Sequence, residues 1–165
     1  MNTPDRLTLT RITTAHPAVR QQLLTIYEEI CSRLTGRAQC RFTEVLRSAK
    51  RQDELYAQGR SKPGRIVTNA KAWESGHQYA MSIDACLIID GKEASWDTVT
   101  DFDRDHIADW MEMVSVFEKH GWSWYGRNTR FPEAAHFENL LGHTVKELNA
   151  IRLAGKIDEH GYVKL

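Results

Sequence analysis

Cysteine is scarce and unpatterned in this chain. Cys31, Cys40 and Cys86 are odd in number, widely spaced and form no CxxC pair, so no disulfide framework is expected and buried reduced thiols are. Neither sign of charge prevails. Lys plus Arg and Asp plus Glu stand at 22 each, so no net basic field argues for nucleic acid or an anionic membrane. No run approaches the roughly 18 apolar residues of a membrane span. The opening MNTPDRLTLTRITTAHPAVRQQ has no apolar h-region of a secretory signal. Synthesis and folding in a cytoplasm are therefore expected, with another agent carrying the protein to any target outside. Internal repeats, low-complexity tracts and interdomain linkers are missing too. What remains, 165 residues with 41% apolar and 27% charged, is the profile of one globular domain spanning residues 1–165.

The periodicities alternate between helix and strand. After Pro17, which suits a first helical turn, Val19, Leu23, Ile26, Tyr27, Ile30 and Leu34 form one helical stripe, with Gly36 just beyond. RFTEVL at 41–46 alternates as a strand. RSAKRQDELYAQGR reads as a short helix capped by Ser48 and stopped at Gly59. SKPGRIVTNAKAWESG is a loop. SIDACLIID is the most apolar run and reads as a buried strand ending in a turn at Asp90-Gly91. DRDHIADWMEMVSVFEKHG predicts a helix with Ile107, Trp110, Met111, Val114 and Phe117 on its apolar face. EAAHFEN predicts another strand, and Thr144-x-x-Glu147 is a capping box opening a last helix. Helices interspersed with short strands, without a βαβ rhythm, give an α+β class.

Within ESGHQYAMSID, His77 and Asp84 lie seven positions apart. In a continuous strand they would point to opposite faces; in a continuous helix they would sit about 10 Å apart along the axis. A zinc ion reaches its ligands at about 2 Å, so the two can share one only if the chain bends between them, and Gly76 makes a bend plausible. Glu133 and His136, three apart, can face one centre across a turn. A hydrolytic zinc site needs three protein ligands, an open position for water and a nearby carboxylate that is not a ligand. His77, Asp84 and His136 can supply the first requirement and Glu133 the last. Spacing alone leaves open the reading of these residues as ordinary polar groups, and it does not choose among the arginines for an oxyanion partner.

A further pattern lies in DFDRDHIADWME. Asp101, Asp103, Asp105, Asp109 and Glu112 fall at the spacing of EF-hand calcium ligands. His106, however, stands in the place of the required glycine, and acids in a first helical turn are stabilised by the macrodipole in any case. Calcium is thus a second cofactor reading, against a plain helix start. His106, His120 and His143 are taken as structural or solvated.

Order and local sequence resemble the zinc D,D-peptidase superfamily, the M15-like peptidases that include D-alanyl-D-alanine carboxypeptidases and dipeptidases, and most of all its phage endolysin branch, the L-alanyl-D-glutamate endopeptidases. The signature Ser-x-His-x-x-Gly-x-Ala-x-Asp is matched at Ser75, His77 and Asp84, and the C-terminal carboxylate-x-x-His-Phe at Glu133, His136 and Phe137. RSAKRQDELYAQGRSKPGRIVT is similar to the family's upstream segment, and the resemblance runs from Phe42 to Glu138. It implies a small antiparallel sheet packed with helices, the Hedgehog/D,D-peptidase-like fold. It implies zinc on His77, Asp84 and His136, Glu133 as the base, and Arg47 polarising the scissile carbonyl. Ser75, Trp124 and Tyr125 are the implied substrate residues, with Trp122 as a further candidate for the groove or the core.

Four positions depart from the pattern. Ala80 and Ser82 replace the signature's Gly and Ala, and an Ala is poorly tolerated wherever φ must be positive. Tyr125 stands at the first Gly of Trp-Gly-Gly, and Glu133 replaces the endolysin branch's Asp. The resemblance implies a monomeric zinc endopeptidase acting on the peptidoglycan peptide stem, without nucleic-acid or membrane partner and without a separate cell-wall-binding domain. It would reach the wall after release by a phage holin. A D-alanyl-D-alanine carboxypeptidase or dipeptidase, a zinc-bound module without catalysis and a metal-free interaction protein are the alternatives.

Overall fold

The computed structural model describes residues 4–165; the first three residues of the expected domain lie outside the described residues. The chain opens with α1 (Arg6–Ile12) and α2 (Pro17–Arg33), then β1 (Ala38–Glu44) and α3 (Ala49–Ala57). A long loop leads to a 3-10 turn (Gly76–Tyr79), followed by β2 (Ser82–Ile89), β3 (Glu93–Ser95) and α4 (Asp109–Lys119). β4 (Ser123–Trp124), a second 3-10 turn (Tyr125–Arg127), β5 (His136–Glu138) and α5 (Val145–Leu153) complete it. Among the described residues the strands form one antiparallel sheet in the order β1-β2-β5-β4, with β3 also on β2. The α+β class and the small antiparallel sheet expected from the sequence are what is observed. No helix among the described residues is long and apolar enough to cross a membrane.

Side-chain alternation gives this sheet two different faces. Cys40 opposes Leu87, Phe42 opposes Ala85 and Ile83 opposes Phe137, and all six are buried in the main core. Against them pack Val19, Leu23, Ile26, Tyr27 and Ile30 of α2 and Trp110, Met113, Val114 and Phe117 of α4. The Phe117 ring lies 4.2 Å from that of Phe137, with Tyr27 and Phe42 edge to face beside them. The opposite face carries Ser82, Asp84, His136 and Glu138, so polar chemistry sits directly behind the core.

Local chemistry explains most boundaries. His16 caps α2 by accepting from the Ala18 N–H, and Pro17 fills its first turn. Ser48 caps α3, and Gly59 follows at φ 75°. The Thr144–Glu147 capping box is present on α5, and Asp90 and Gly91 turn with positive φ. Cys31, Cys40 and Cys86 are buried and free.

Four differences have physical causes. β1 runs over 38–44 rather than 41–46, because the buried alternation begins at Ala38 and Cys40, residues too small to announce a strand. α4 starts at Asp109 rather than near residue 103, because Asp101, Asp103 and Asp105 bind backbone N–H groups of their own loop, the competition that keeps Asp out of helices. Ile107, expected on the apolar face, is consequently half exposed at 51%. Elements α1 and β3, too short to show a period, were not expected.

Candidate active site

The bend that the His77–Asp84 pair requires is built from three devices. Ser75 caps the 3-10 turn, accepting from the His77 N–H, while Gln78 returns a bond to the Ser75 N–H. Gly76 admits no side chain: a Cβ there would lie 2.1 Å from Ser82 Oγ and 2.5 Å from a Glu138 carboxylate oxygen. Ala80 then takes the left-handed conformation, φ 56° and ψ 35°, at the signature's glycine position. β2 starts two residues later and delivers Asp84 directly opposite His136 of β5. Glu44 opposes Asp84 from the other side, past a bulge in β1.

These elements bring three donor atoms together. His77 Nε2 lies 3.2 Å from Asp84 Oδ1 and 3.3 Å from His136 Nδ1, and His136 Nδ1 lies 3.1 Å from Asp84 Oδ1. Tetrahedral zinc with bonds of about 2.0–2.1 Å sets its donors about 3.3 Å apart, so two imidazoles and a carboxylate at these separations fit that ion. The outer atom of each group is fixed as well. His77 Nδ1 donates to the Val45 carbonyl at 2.9 Å, which leaves Nε2 as the free lone pair. His136 Nε2 faces Glu138 at 3.5 Å, and Asp84 Oδ2 accepts from Arg47 at 2.8 Å. Partners of this kind orient metal ligands and set their basicity.

The charges are strongly coupled. Burial would raise the Asp84 carboxyl, but His77 and His136 beside it hold it far below the usual carboxylate range. Burial works against a charged His136, yet hydrogen bonds to Asp84 and Glu138 push it up to about 9. Glu133 lies on the wall of the same cavity. Burial and the Asp84 charge push its carboxyl up, against the pull of His136, His77 and Arg47. A raised carboxyl is what a general base working near neutral pH needs.

Around these groups opens a cavity of about 750 Å3, with Arg47, Ser75 and Tyr125 on its wall and Val67, Trp96 and Phe131 as apolar lining. Arg47 is 9% exposed; its guanidinium donates to Glu44, Asp84 and Gln52, and its Nε has no partner among the described residues. Ser75 is on the wall and is also the turn's cap. Tyr125 donates to Glu138 at 2.8 Å and sets its ring edge against His136. Trp124 is not on the wall; its indole N–H donates to the Ala134 carbonyl at 2.7 Å, beneath the segment bearing Glu133. Trp122 is a core residue, 2% exposed and bonded to Gln22. His106, His120 and His143 do not line the cavity.

Three supporting residues, Glu138, Glu44 and Gln52, escaped the sequence reading. Glu138 had a signal: two residues after His136 in a strand, it shares that face. Glu44 and Gln52 meet Arg47 only through the fold.

Residues 68–139 match the family model described as D-alanyl-D-alanine carboxypeptidase. The chain is 42% identical over 98 residues to the peptidoglycan L-alanyl-D-glutamate endopeptidase CwlK of Bacillus subtilis (strain 168). The match spans 59% of this chain and 59% of that relative. The fold is similar to the crystal structure of the Serratia marcescens L-Ala D-Glu endopeptidase ChiX, with a TM-score of 0.54, 16% identity, and coverage of 81% of this chain and 86% of that one.

Proposed function

We propose that this chain is a zinc peptidase that hydrolyses the L-alanyl-D-glutamate bond of the peptidoglycan peptide stem. One observation carries the reading: a triangle of two imidazole nitrogens and a carboxylate oxygen with sides of 3.1–3.3 Å, in a cavity that also holds the non-ligand carboxylate Glu133. The name of the Bacillus relative supports the choice of bond.

His77, Asp84 and His136 would hold the ion. What zinc supplies when bound is a Lewis-acidic charge that lowers the pKa of a water to about 7. Glu133 takes that water's proton as the oxygen attacks the amide carbonyl, then delivers it to the departing amine, so one carboxyl serves both halves of the reaction. Arg47 keeps Asp84 oriented and sets a positive charge at the wall where the oxyanion develops. Ser75 and Tyr125 flank the substrate, and Trp124 acts indirectly by tying down Ala134, the residue after Glu133.

Mass spectrometry of products from purified Gram-negative peptidoglycan with added zinc tests the bond. Stem peptides beginning at D-glutamate are expected. Loss of terminal D-alanine alone would move the chain to the carboxypeptidase reading, which the family model's description favours. Glu133→Gln is expected to lower turnover at least about a hundredfold while one zinc per chain remains bound; unchanged turnover would remove Glu133 from the mechanism. Zinc content near zero in carefully purified protein would overturn the metal centre. The proposed endolysin role predicts that cytoplasmic expression lyses cells only when a holin or permeabilising agent opens the inner membrane.

A further inference from the structure

The acidic segment between β3 and α4 is a closed loop with more negative charge than its surroundings neutralise. Asp101 accepts from the backbone N–H groups of Arg104 and His106, Asp103 from Asp105, and Asp105 from Ile107. Asp109 reaches back through Oδ2 to the Phe102 N–H. The loop is anchored on the end of α2: Asp103 Oδ2 accepts from the Thr35 N–H and hydroxyl, and a Cβ on Gly36 would lie 2.4 Å from the Asp103 Cβ. Donor oxygens of Asp101, Asp103 and Asp109 lie within 4.8 Å of one another, as do those of Asp103, Asp105 and Glu112. Asp103 joins the two groups.

Two of these carboxylates are buried with an oxygen left over. Asp109 is 0% exposed and Glu112 6%, yet Asp109 Oδ1 and Glu112 Oε2 have no hydrogen-bond partner among the described residues. A buried carboxylate oxygen without a partner is costly, and more so among like charges. Burial, with Asp105, Asp103 and Asp109 beside it, pushes the Glu112 carboxyl up to about 7. Asp109 and Glu112, the residues that carry these orphan oxygens, each belong to one of the two groups that share Asp103, so a cation held there would offer both carboxylates the partner they lack.

The donors choose the cation. All are hard oxygens, with no imidazole nitrogen or thiolate, which suits calcium or magnesium and not zinc. Five carboxylates at positions 1, 3, 5, 9 and 12 of a twelve-residue stretch, with the Ile107 carbonyl at position 7, give the ligand number and spacing of calcium loops. The sixth place in such loops needs a positive φ, and His106 takes φ 80° there. We propose that Asp101, Asp103, Asp105, Asp109, Glu112 and the Ile107 carbonyl bind one calcium ion. None of these residues lines the catalytic cavity, so the site stands apart from the zinc reading.

The test strips the full chain of divalent ions, restores one equivalent of zinc and titrates calcium chloride while recording backbone amide NMR signals and thermal midpoint. Signals of 101–112 are expected to move and saturate at one calcium per chain, with a rising midpoint. Glu112→Gln and, at an exposed position, Asp105→Asn are each expected to weaken calcium at least about tenfold, since affinity follows ligand charge. Zinc content should stay unchanged in both. The calcium-free midpoint of Glu112→Gln should equal or exceed that of the parent, because a repelling charge has gone; a purely structural Glu112 would lower it. Immobile 101–112 signals up to about 10 mM calcium, well above the weakest such sites at about 10⁻³ M, would overturn the proposal. So would shifts confined to His77 and His136, an equal response to magnesium, or parental calcium affinity in both variants.

Discussion

Replacing Arg47 by Met would remove a charge while keeping most of the aliphatic stem, and the structure sets the cost. The guanidinium is 9% exposed and holds Asp84, Glu44 and Gln52 at once. Breaking a fully buried ion pair by removing one partner costs about 3–5 kcal/mol. Here the stranded carboxylates keep some access to water, 21% for Asp84 and 29% for Glu44, so the expected loss is lower, about 2–3 kcal/mol. For a chain of this size that is a fall of about 4–12 °C in thermal midpoint. Urea denaturation of the metal-free protein should show the same loss as a lower midpoint concentration with an unchanged slope. Asp84 also loses the bond that orients it, so zinc affinity should weaken about 10–100-fold. A stability change under about 0.5 kcal/mol, the level of an ordinary surface substitution, would refute the argument. Unaltered zinc affinity with lost turnover would place Arg47 on the substrate rather than on Asp84.

Glu29 joins α2 to α4 through Lys119 and His120 and pairs within α2 with Arg33. Lys119 and His120, with Arg33 adding less, hold its carboxyl down at about 2. A depressed carboxyl stabilises above its unfolded value near 4.5 and loses that contribution as pH falls towards 2. Glu29→Gln should therefore cost about 1 kcal/mol after solvent screening, a gap that closes between pH 4.5 and 2 in denaturation midpoints; a pH-independent gap would show that the charge is not responsible. Ala80→Gly relieves a left-handed strain of about 1–2 kcal/mol but gives up a buried methyl of about 0.8 kcal/mol and loosens the unfolded chain. Calorimetry should find it within about 1 kcal/mol of the parent, and a loss near 3 kcal/mol would mean packing dominates. Gly76→Ala should cost about 1–3 kcal/mol by overpacking and reduce zinc content by displacing His77; full metal loading would contradict the tight fit against Ser82 and Glu138.

Where a repeat is long or a cap is chemical, the chain announces its own structure. The α2 stripe, the apolar β2 and the Thr144–Glu147 box are such cases. Where a boundary depends on side chains competing for backbone N–H groups, as at Asp101 to Asp105, periodicity misplaces it and extends α4 several residues too far. The site divides in the same way. His77, Asp84, His136 and Glu133 stood out by spacing and resemblance, but the pairing of Asp84 with His136 is a matter of strand register, which no local pattern encodes. Glu44, Gln52 and the Val45 carbonyl act across the fold and leave no trace in spacing. The aromatic run at 122–125 illustrates phase: Trp122 turns into the core, Trp124 pins a carbonyl, and only Tyr125 reaches the cavity.

His77 and His136 are separated by 59 positions along the chain. An ion gripping both would act as a removable cross-link in a protein whose cysteines stay unpaired. Closing a loop of that length takes about 4 kcal/mol of freedom from the unfolded chain if it behaves as a disulfide does. The catalytic centre would then double as a staple. If the proposed zinc site holds, stripping the metal would end the proposed activity and lengthen the longest free loop of the unfolded state in one step, leaving the metal-free form the one most readily cut by other proteases.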